Sequence, residues 1–386
     1  MSSSFDVVVG GGSVAGLSFA SEAARRGLSV VVLEEDAEIG EPEKCDGLVS
    51  LRSLRAYVTP RESSIQSRVK KGKVYGPSGS SAVLEASRLE VVVLDRSDYE
   101  KQIWEMAVSN GADVRTSQRV LQVRESDGGV VVSSGKEELT CRYYIDATGP
   151  SGVLQKNREG LMPAAKYEVR GDWFEDGEVE VHLDRAKYPG FFAWVIPRGN
   201  GMAKVGAAGY GINSFKTLDA FLASRKSEIV SKVAAPIYLG GPIPDFVSGR
   251  TLRVGESAGQ VKPTTAGGIL ASVAAGTIAA RWVSECITRA DPRLLDNYQL
   301  DWDARFGGEF RTMRHLRRVF TDLSNDDMDR IVSILSSKRM SERLASTDFD
   351  FHGTALLSAL GVQGTLRLAG LLLSAEAREA LSQLVG

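Results

Sequence analysis

The pattern of apolar and polar residues predicts secondary structure most clearly in the first 35 residues. Residues 7–9 form a short apolar run without helical spacing, and apolar residues then recur at helical spacing through residues 17–24. Gly27 ends this helix, and a second apolar run at residues 30–33 leads directly into Glu34. The order of strand, helix and strand predicts a βαβ unit at the start of the chain.

The turn between the first strand and its helix reads Gly11-Gly12-Ser13-Val14-Ala15-Gly16. Two registers of a G-x-G-x-x-G motif are possible, and the register that begins at Gly11 places Glu34 23 residues later. That interval is close to the roughly 20 residues at which a carboxylate meets a ribose hydroxyl in dinucleotide-binding folds. The bare N–H groups and the positive end of the helix dipole suit a pyrophosphate. This stretch therefore predicts a dinucleotide site, whereas a glycine-rich turn in another α/β protein would not need Glu34.

Further strands and one helix are predicted in the middle of the chain. Residues 57–93 are rich in strand patterns and form an excursion from the nucleotide domain. The next helix is predicted to be capped by Ser97 or Asp98. Its predicted buried face comprises Ile103, Trp104, Ala107 and Val108. Apolar runs at residues 120–123 and 130–132 predict a β-meander.

From about residue 164 onward, apolar and polar residues alternate, which predicts an antiparallel sheet with one covered face. Residues 190–199 within it read GFFAWVIPRG and carry three aromatic residues in four positions. An aromatic core strand and the wall of a substrate cavity both explain this run.

A second glycine-rich turn, at residues 255–268, precedes a long apolar helix predicted at residues 269–287. Its N–H groups would suit a second part of the same cofactor. Residues 298–320 form a helix whose basic side chains are interpreted as a solvated face; they are Arg311, Arg314, Arg317 and Arg318. Residues 355–362 and 366–384 predict shorter apolar helices, and residues 366–373 also fit an interfacial membrane helix.

Composition excludes several classes of protein. The 386 residues have a formal net charge of −2, so no basic field indicates nucleic acid. Cys45, Cys141 and Cys286 are far apart, which excludes a CxxC site and fits a reducing cytoplasm. Three scattered histidines argue against a histidine-rich metal site. We expect neither a signal peptide nor a membrane span, since residues 1–4 lack a charged start and no run reaches 18 apolar residues.

A loop at residues 38–50 leaves the carboxyl end of the second strand, where doubly wound sheets bind their ligands. Cys45 lies in this loop. It is interpreted either as a functional thiol or as a small packed residue.

Taken in chain order, these motifs resemble those of FAD-dependent oxidoreductases with the para-hydroxybenzoate hydroxylase type of fold, and within them the geranylgeranyl reductase family. Residues 11–16 with Glu34 match the family's fingerprint. Four further segments are similar: residues 38–50 to EIGxPxxCxG, Asp95-Arg96 to the arginine before the interdomain helix, Phe192-x-Trp194-x-Ile196-Pro197 to YxWxFP, and residues 255–269 to GDAAGxVxPxTGGGI. The resemblance covers roughly residues 5–287.

The resemblance implies an α/β fold in which a Rossmann-type FAD-binding domain is joined to an antiparallel β-sheet substrate domain and a helical C-terminal region. The FAD-binding domain would comprise residues 1–65, 88–160 and 250–298. The substrate domain would comprise residues 66–87 and 161–249, and the helical region residues 299–386.

The resemblance also implies roles for individual residues. Ala15 and neighbouring amides would hold the FAD pyrophosphate, Glu34 the ribose and Arg96 the phosphate side. Glu256 would contact the ribityl chain, and residues 267–269 would lie against the isoalloxazine. The complete predicted FAD-binding set is Gly11, Gly12, Ser13, Ala15, Gly16, Glu34, Glu35, Cys45, Asp46, Gly47, Arg96, Val120, Gly255, Glu256, Pro263, Gly267, Gly268 and Ile269. The predicted substrate-binding set is Phe192, Trp194 and Pro197, and no metal is expected.

The chain departs from the family's pattern at several positions. Ser13 stands at the middle glycine, and Glu256 replaces an aspartate, so its carboxylate reaches one methylene further. Ala266 replaces a glycine, Phe192 a tyrosine and Ile196 a phenylalanine.

The activity that the resemblance implies is saturation of C=C bonds in isoprenoid chains, such as the geranylgeranyl groups of a prenyl lipid, by hydride from reduced flavin. Cys45 is the candidate catalytic residue, because a free thiol has a pKa of about 8.5 and can donate a proton at neutral pH. The faces of Phe192 and Trp194 would stabilise developing positive charge by about 0.5–2 kcal/mol.

Two alternatives remain open at this point: a flavin monooxygenase of the same fold that hydroxylates an aromatic or lipid substrate, and a non-catalytic flavin- or lipid-binding protein. The expected partners are a prenyl lipid and an external electron donor, either NADPH or a ferredoxin-like carrier. The expected location is the cytoplasm, with peripheral contact to the membrane surface.

Overall fold

The computed structural model describes residues 4–86, 88–126, 128–150, 152, 154, 160–337, 348–351 and 353. These residues form two compact units. Unit 1 consists of the described residues within Met1–Gln66, Leu94–Leu161 and Ile237–Phe310, and unit 2 of those within Ser67–Val93 and Met162–Pro236 and from Arg311 onward. The assignment of cofactor and substrate roles to domains remains a prediction. The helices predicted at residues 355–362 and 366–384 lie outside the described residues.

The strands of the described residues are β1 Ser4–Gly10, β2 Val30–Leu33, β3 Leu48–Ser50, β4 Ile65–Arg68, β5 Lys71–Tyr75, β6 Ser81–Glu85, β7 Val91–Leu94, β8 Asp113–Arg115, β9 Gln122–Ser126, β10 Gly129–Ser133, β11 Glu138–Asp146, β12 Leu161–Met162, β13 Ala164–Gly171, β14 Glu178–His182, β15 Ala193–Gly199, β16 Met202–Ala208, β17 Ser227–Ala234, β18 Ile237–Tyr238, β19 Val247–Ser248 and β20 Thr251–Arg253. The α-helices are α1 Val14–Arg25, α2 Leu51–Leu54, α3 Arg96–Ser109, α4 Ser214–Leu222, α5 Ile269–Arg289, α6 Asp296–Trp302, α7 Gly308–Asp322 and α8 Asn325–Leu335.

Unit 1 is built on an eight-stranded sheet with the order β19-β20-β11-β1-β2-β8. The pairs β20·β11, β11·β1, β1·β2 and β2·β8 are parallel, while β9 and β10 extend the sheet from β11 as an antiparallel hairpin. Residues 7–9 and 30–33 are buried, as expected for strands covered on both faces. The predicted βαβ unit, the meander and the long apolar helix are therefore confirmed.

Unit 2 is built on a seven-stranded sheet with the order β17-β13-β16-β15-β14-β5-β6. Five of its six strand pairs are antiparallel as predicted, and β14·β5 is parallel. α4 covers one face, where Leu218, Phe221 and Leu222 pack on alternate residues of the central strands. A second cluster joins Val319, Met328 and Val332 to Ala82 of β6.

Two details of α3 differ from the prediction. The cap is Asp95, whose Oδ1 accepts from the Asp98 N–H at 2.9 Å, rather than Ser97 or Asp98, because the helix begins two to three residues earlier than expected. Its buried stripe is Tyr99, Ile103 and Ala107, a strict i, i+4 row.

Trp104 and Val108, which were predicted to be buried, are instead 36% and 46% exposed. Arg317 also differs from the solvated face predicted for it, since only 6% of the residue is exposed. A side chain's hydrophobicity or charge alone does not say which stripe of a helix meets the core.

No helix within the described residues is long and apolar enough to cross a bilayer. The three cysteines are free thiols. The described residues also contain no group of three or more histidine, cysteine or acidic side chains suited to a metal ion.

Candidate functional site

The first glycine turn of unit 1 is too tight for side chains at two of its positions. Gly11 has a φ of 101°, and a Cβ placed there would lie 2.3 Å from the carbonyl oxygen of Ala147. A Cβ on Gly16 would lie 2.0 Å from the carbonyl oxygen of Gly11. The glycines therefore bring the end of β1 directly against the first turn of α1.

The N-terminus of α1 keeps its backbone donors free of a side-chain cap. Ser13 is the N-cap residue but its side chain does not cap the helix, and the first turn has no acidic side chain. The first intrahelical bond runs from the Leu17 N–H to the Ser13 carbonyl at 2.9 Å. The N–H groups of residues 14–16 thus have no intrahelical acceptor, and this end of the helix fits an anionic group such as the FAD pyrophosphate.

Glu34 lies at the carboxyl end of β2 and faces this turn. Its Oε2 accepts from the Gly12 N–H at 2.5 Å and its Oε1 from the Asp36 N–H at 2.9 Å. Burial raises the pKa of the Glu34 carboxyl, the two N–H donors oppose that rise, and the neighbouring acids Asp36 and Glu35 add to it. The register chosen from the sequence thus brings its acid to the turn, although ribose binding remains a prediction.

The raised pKa of Glu34 predicts how the free energy of unfolding depends on pH. Because the folded state holds the Glu34 proton more tightly than the unfolded state, the free energy of unfolding of FAD-free protein should fall as pH rises from the unfolded pKa through the higher folded pKa. Glu34→Gln should lack this contribution, so the wild-type protein should lose stability relative to the variant over that window. Urea unfolding at several pH values measures the difference. Glu62→Gln, at an exposed position of unit 1 that does not contribute to the Glu34 shift, is the control, and a pH-independent difference for Glu34→Gln would contradict the prediction.

Ser13, the departure from the middle glycine, takes part in a buried polar network. Its Oγ donates to Oε1 of Glu100 at 2.5 Å, and the same carboxylate pairs with the Arg96 guanidinium. Arg96 and Glu100 are each 7% exposed. Burial lowers the pKa of Arg96, but the Glu100 carboxylate and Cys45 outweigh it, so that pKa is raised overall. Sequence reasoning missed Glu100, although its i, i+4 spacing from Arg96 on a helix was a signal.

The loop at residues 38–50 packs against the start of α3 in the same unit. Glu43 accepts from the Arg96 N–H at 3.0 Å. The Gly47 carbonyl accepts from the Leu94 N–H at 2.9 Å, and a Cβ on Gly47 would lie 2.1 Å from the Leu94 carbonyl oxygen. Cys45 is half-buried and close enough to Arg96 to influence that guanidinium. The loop and Arg96 therefore lie together.

The second glycine turn meets the first. A Cβ on Gly255 would lie 2.7 Å from the Ala15 Cβ, and one on Gly276 of α5 would lie 2.2 Å from the Ala15 carbonyl oxygen. Gln260, fully buried, accepts from the Gly255 N–H at 2.6 Å and donates to the Tyr298 hydroxyl at 2.9 Å. The glycines bring the turn and α5 against α1, while Gln260 ties the turn to Tyr298 of α6. Neither Gln260 nor Tyr298 was anticipated from the sequence.

The start of α5 repeats the arrangement at the start of α1. Gly268 provides no side-chain cap, and the first intrahelical bond is from the Ser272 N–H to the Gly268 carbonyl at 2.9 Å. Lys262 lies against Gly267, since a Cβ there would meet its Cε at 2.5 Å. Ala266, which replaces a family glycine, has a φ of 58°, in the left-handed region that disfavours side chains.

The remaining predicted FAD-binding residues of unit 1 have varied surroundings. Glu35 is exposed and pairs with Arg119 at 3.3 Å, whereas Val120 is buried in a cluster with Val31 and Leu33. Glu256 is half-buried in a short 3₁₀ turn before the buried Pro263, and Asp46 is half-buried in the loop at residues 38–50. Their roles remain predictions.

The predicted substrate-binding residues belong to unit 2. Phe192 and Trp194 are half-buried, their rings meet edge to face at 6.0 Å, and Phe192 also stacks on Phe191 at 4.0 Å. Trp194 lies across Gly206 of the neighbouring strand, where a Cβ would come within 2.1 Å of the indole. Pro197 is buried, and its carbonyl accepts from Ser67 Oγ at 2.8 Å. The structure therefore places an aromatic pair at the start of β15, with Pro197 at its far end.

Similar proteins support the interpretation of these motifs. The family model described as FAD dependent oxidoreductase matches residues 6–157. In overall structure the chain is similar to a geranylgeranyl bacteriochlorophyll reductase-like protein from Thermoplasma acidophilum, with a TM-score of 0.85 at 24% identity, covering 96% of this chain and 100% of that one. It is also similar to p-nitrophenol 4-monooxygenase from Pseudomonas putida, with a TM-score of 0.66 at 15% identity, covering 93% and 98% of the two chains. These likenesses confirm the fold.

Sequence relatives are more specific. Digeranylgeranylglycerophospholipid reductase 1 of Methanopyrus kandleri is 31% identical over 370 residues, which cover 89% of this chain and 97% of that protein. Digeranylgeranylglycerophospholipid reductase 2 of Methanothermobacter thermautotrophicus is 31% identical over 361 residues, which cover 87% and 93%. FAD is the cofactor, and this chain belongs to the geranylgeranyl reductase family of FAD-dependent oxidoreductases.

Proposed function

We propose that this protein reduces C=C bonds in the isoprenoid chains of a prenyl lipid, of the digeranylgeranylglycerophospholipid class. The observation that carries the proposal is the 31% identity to the Methanopyrus kandleri reductase across 97% of that protein. The monooxygenase alternative is not favoured, because its support is a shared fold at 15% identity.

Unit 1 supplies the residues for the cofactor in this proposal. The uncapped N–H groups of residues 14–16 bind the pyrophosphate, Glu34 accepts from the ribose hydroxyls, and Arg96 neutralises phosphate charge. Residues 267–269 border the ring system. Bound FAD supplies a hydride once it has been reduced.

Unit 2 supplies the apolar surface for the substrate. The half-buried rings of Phe192 and Trp194 bind the isoprenoid chain and exclude water from it. The second carbon of each double bond must receive a proton, and Cys45 is our candidate donor.

The activity is tested by incubating dithionite-reduced protein anaerobically with digeranylgeranylglyceryl phosphate and extracting the lipid for mass spectrometry. We expect a gain of two hydrogen atoms for each double bond that is reduced. Stoichiometric oxygen uptake with oxygen insertion would instead identify a monooxygenase. Recovery of unchanged lipid would contradict enzymatic reduction.

Removing the candidate proton donor should separate binding from chemistry. Cys45→Ala should retain FAD and slow alkene reduction by about 100-fold or more, the usual contribution of a general acid. Single-turnover oxidation of the reduced flavin by bound lipid measures this step. Cys141→Ala, a second thiol in unit 1 that is 4% exposed, is the control. Unchanged single-turnover rates in Cys45→Ala would remove Cys45 from the mechanism.

In this proposal the electrons come from outside the chain, from NADPH or a ferredoxin-like carrier. The rate of anaerobic flavin reduction by each donor distinguishes them.

Because the proposed substrate is a lipid, we also propose that the protein is cytoplasmic and binds the membrane surface peripherally. Co-flotation with vesicles that contain the lipid tests that contact.

A further inference from the structure

Arg317 of α7 is a buried guanidinium in unit 2. The residue is 6% exposed. Its Nη1 donates to the Gly190 carbonyl, whereas Nη2 is buried without a hydrogen-bond partner in the described part of the chain. The guanidinium also lies 5.5 Å from the centroid of the Phe191 ring and 5.9 Å from that of Tyr210.

This guanidinium has no carboxylate partner among the described residues. Burial lowers the pKa of Arg317, and the interaction with the Tyr210 side chain opposes that shift, but Nη2 itself has no hydrogen-bond partner in the described part of the chain. Arg96 in unit 1 is buried to a similar extent, but unlike Arg317 it forms an ion pair with a carboxylate, that of Glu100. A buried cation without a counter-charge is unfavourable in the protein alone, which points to an anion supplied by a ligand.

The aromatic side chains around Arg317 connect it to Phe192, one of the predicted substrate-binding residues. Phe191, under the guanidinium, stacks on Phe192 with ring centroids 4.0 Å apart and an interplanar angle of 15°. Tyr210, whose ring also lies near the guanidinium, is 42% exposed and stands between Gly209 and Gly211.

We propose that Arg317 binds the phosphate oxygens of the substrate and so fixes the polar end of the isoprenoid chain beside Phe191 and Phe192. The inference rests on the proposed function and deepens it, since it assigns a residue to the headgroup. The guanidinium offers planar N–H donors that match phosphate. Anchoring the headgroup would determine how far along the chain a double bond lies from the reacting centre.

Three probes test the assignment by equilibrium binding to the oxidised holoenzyme: geranylgeranyl phosphate, geranylgeraniol and digeranylgeranylglyceryl phosphate. Wild-type protein should prefer geranylgeranyl phosphate over the alcohol by about 10- to 100-fold, the range for hydrogen bonds to a charged group. Arg317→Met should abolish this preference and leave geranylgeraniol affinity within about threefold. The third probe shows whether a lipid headgroup or a simple prenyl phosphate is the better ligand.

Matched controls are available on the same helix. Arg314→Met and Arg318→Met remove the same charge at exposed positions and should retain the preference for phosphate. Arg317→Lys should recover part of it. Thermal unfolding establishes that each variant is folded.

The outcomes separate this inference from the proposed function. Equal affinity of wild-type protein for phosphate and alcohol would overturn the role of Arg317 even if Arg317→Met failed to fold. Equal losses for both probes in Arg317→Met would show a structural role only, which also overturns it. If no probe binds to wild-type protein, the proposed substrate class fails together with the inference.

Discussion

Gly16→Ala should purify with little or no FAD. Its Cβ would lie 2.0 Å from the Gly11 carbonyl oxygen and 3.2 Å from the Ala147 Cβ, so α1 must move away from the end of β1. The backbone is fixed there on both sides, and no flexible side-chain end can yield. Because the uncapped N–H groups of residues 14–16 move with the helix, we expect FAD affinity to fall by about 100-fold, the scale of a 1 Å misplacement.

The measurement is flavin absorbance per polypeptide, followed by titration of FAD-free protein with FAD. Gly128→Ala is the control within unit 1, since a Cβ there would have no heavy atom within 4 Å. It should retain the wild-type flavin content. Wild-type FAD affinity in a folded Gly16→Ala protein would show that this turn does not position the cofactor.

Patterns that are local in sequence predicted most of the fold. The βαβ unit, α5 and the β9–β10 hairpin follow from apolar spacing and glycine positions, since both reflect contacts between near neighbours. The glycine turn and Glu34 were brought together because a parallel βαβ unit places both at one edge of the sheet. The parallel pairing of β14 with β5 joins segments more than 100 residues apart, and strand alternation does not encode such a partner.

Glu100, which sequence reasoning missed, and Arg317, which it wrongly predicted to be solvated, both act through contacts distant along the chain. Glu100 meets Ser13 across 87 positions, and Arg317 meets Gly190 across 127. Neither contact leaves a periodic signal. Ser13 looked like a loss of glycine from the fingerprint, but its hydroxyl is a partner of Glu100. At Ala266, where the family has a glycine, the backbone is in the left-handed conformation that favours glycine.

Arg96→Met should be strongly destabilising in the FAD-free protein. It leaves the Glu100 carboxylate buried with the Ser13 hydroxyl as its remaining donor among the described contacts. Removal of one partner of a buried ion pair lowers the free energy of unfolding by about 3–5 kcal/mol. Urea unfolding should show this loss. Arg61→Met, which breaks the exposed pair with Glu105, is the control and should change stability little.

The double variant Arg96→Met with Glu100→Leu distinguishes folding from cofactor binding. Replacing both charges with apolar side chains removes the unpaired carboxylate, so most of the lost stability should return. FAD affinity should not return, because no cation then faces the phosphate groups that Arg96 is predicted to neutralise. Titration of the two variants with FAD shows whether Arg96 acts in cofactor binding or only in folding. If affinity recovers together with stability, Arg96 supports the fold of unit 1 and has no direct part in binding the cofactor.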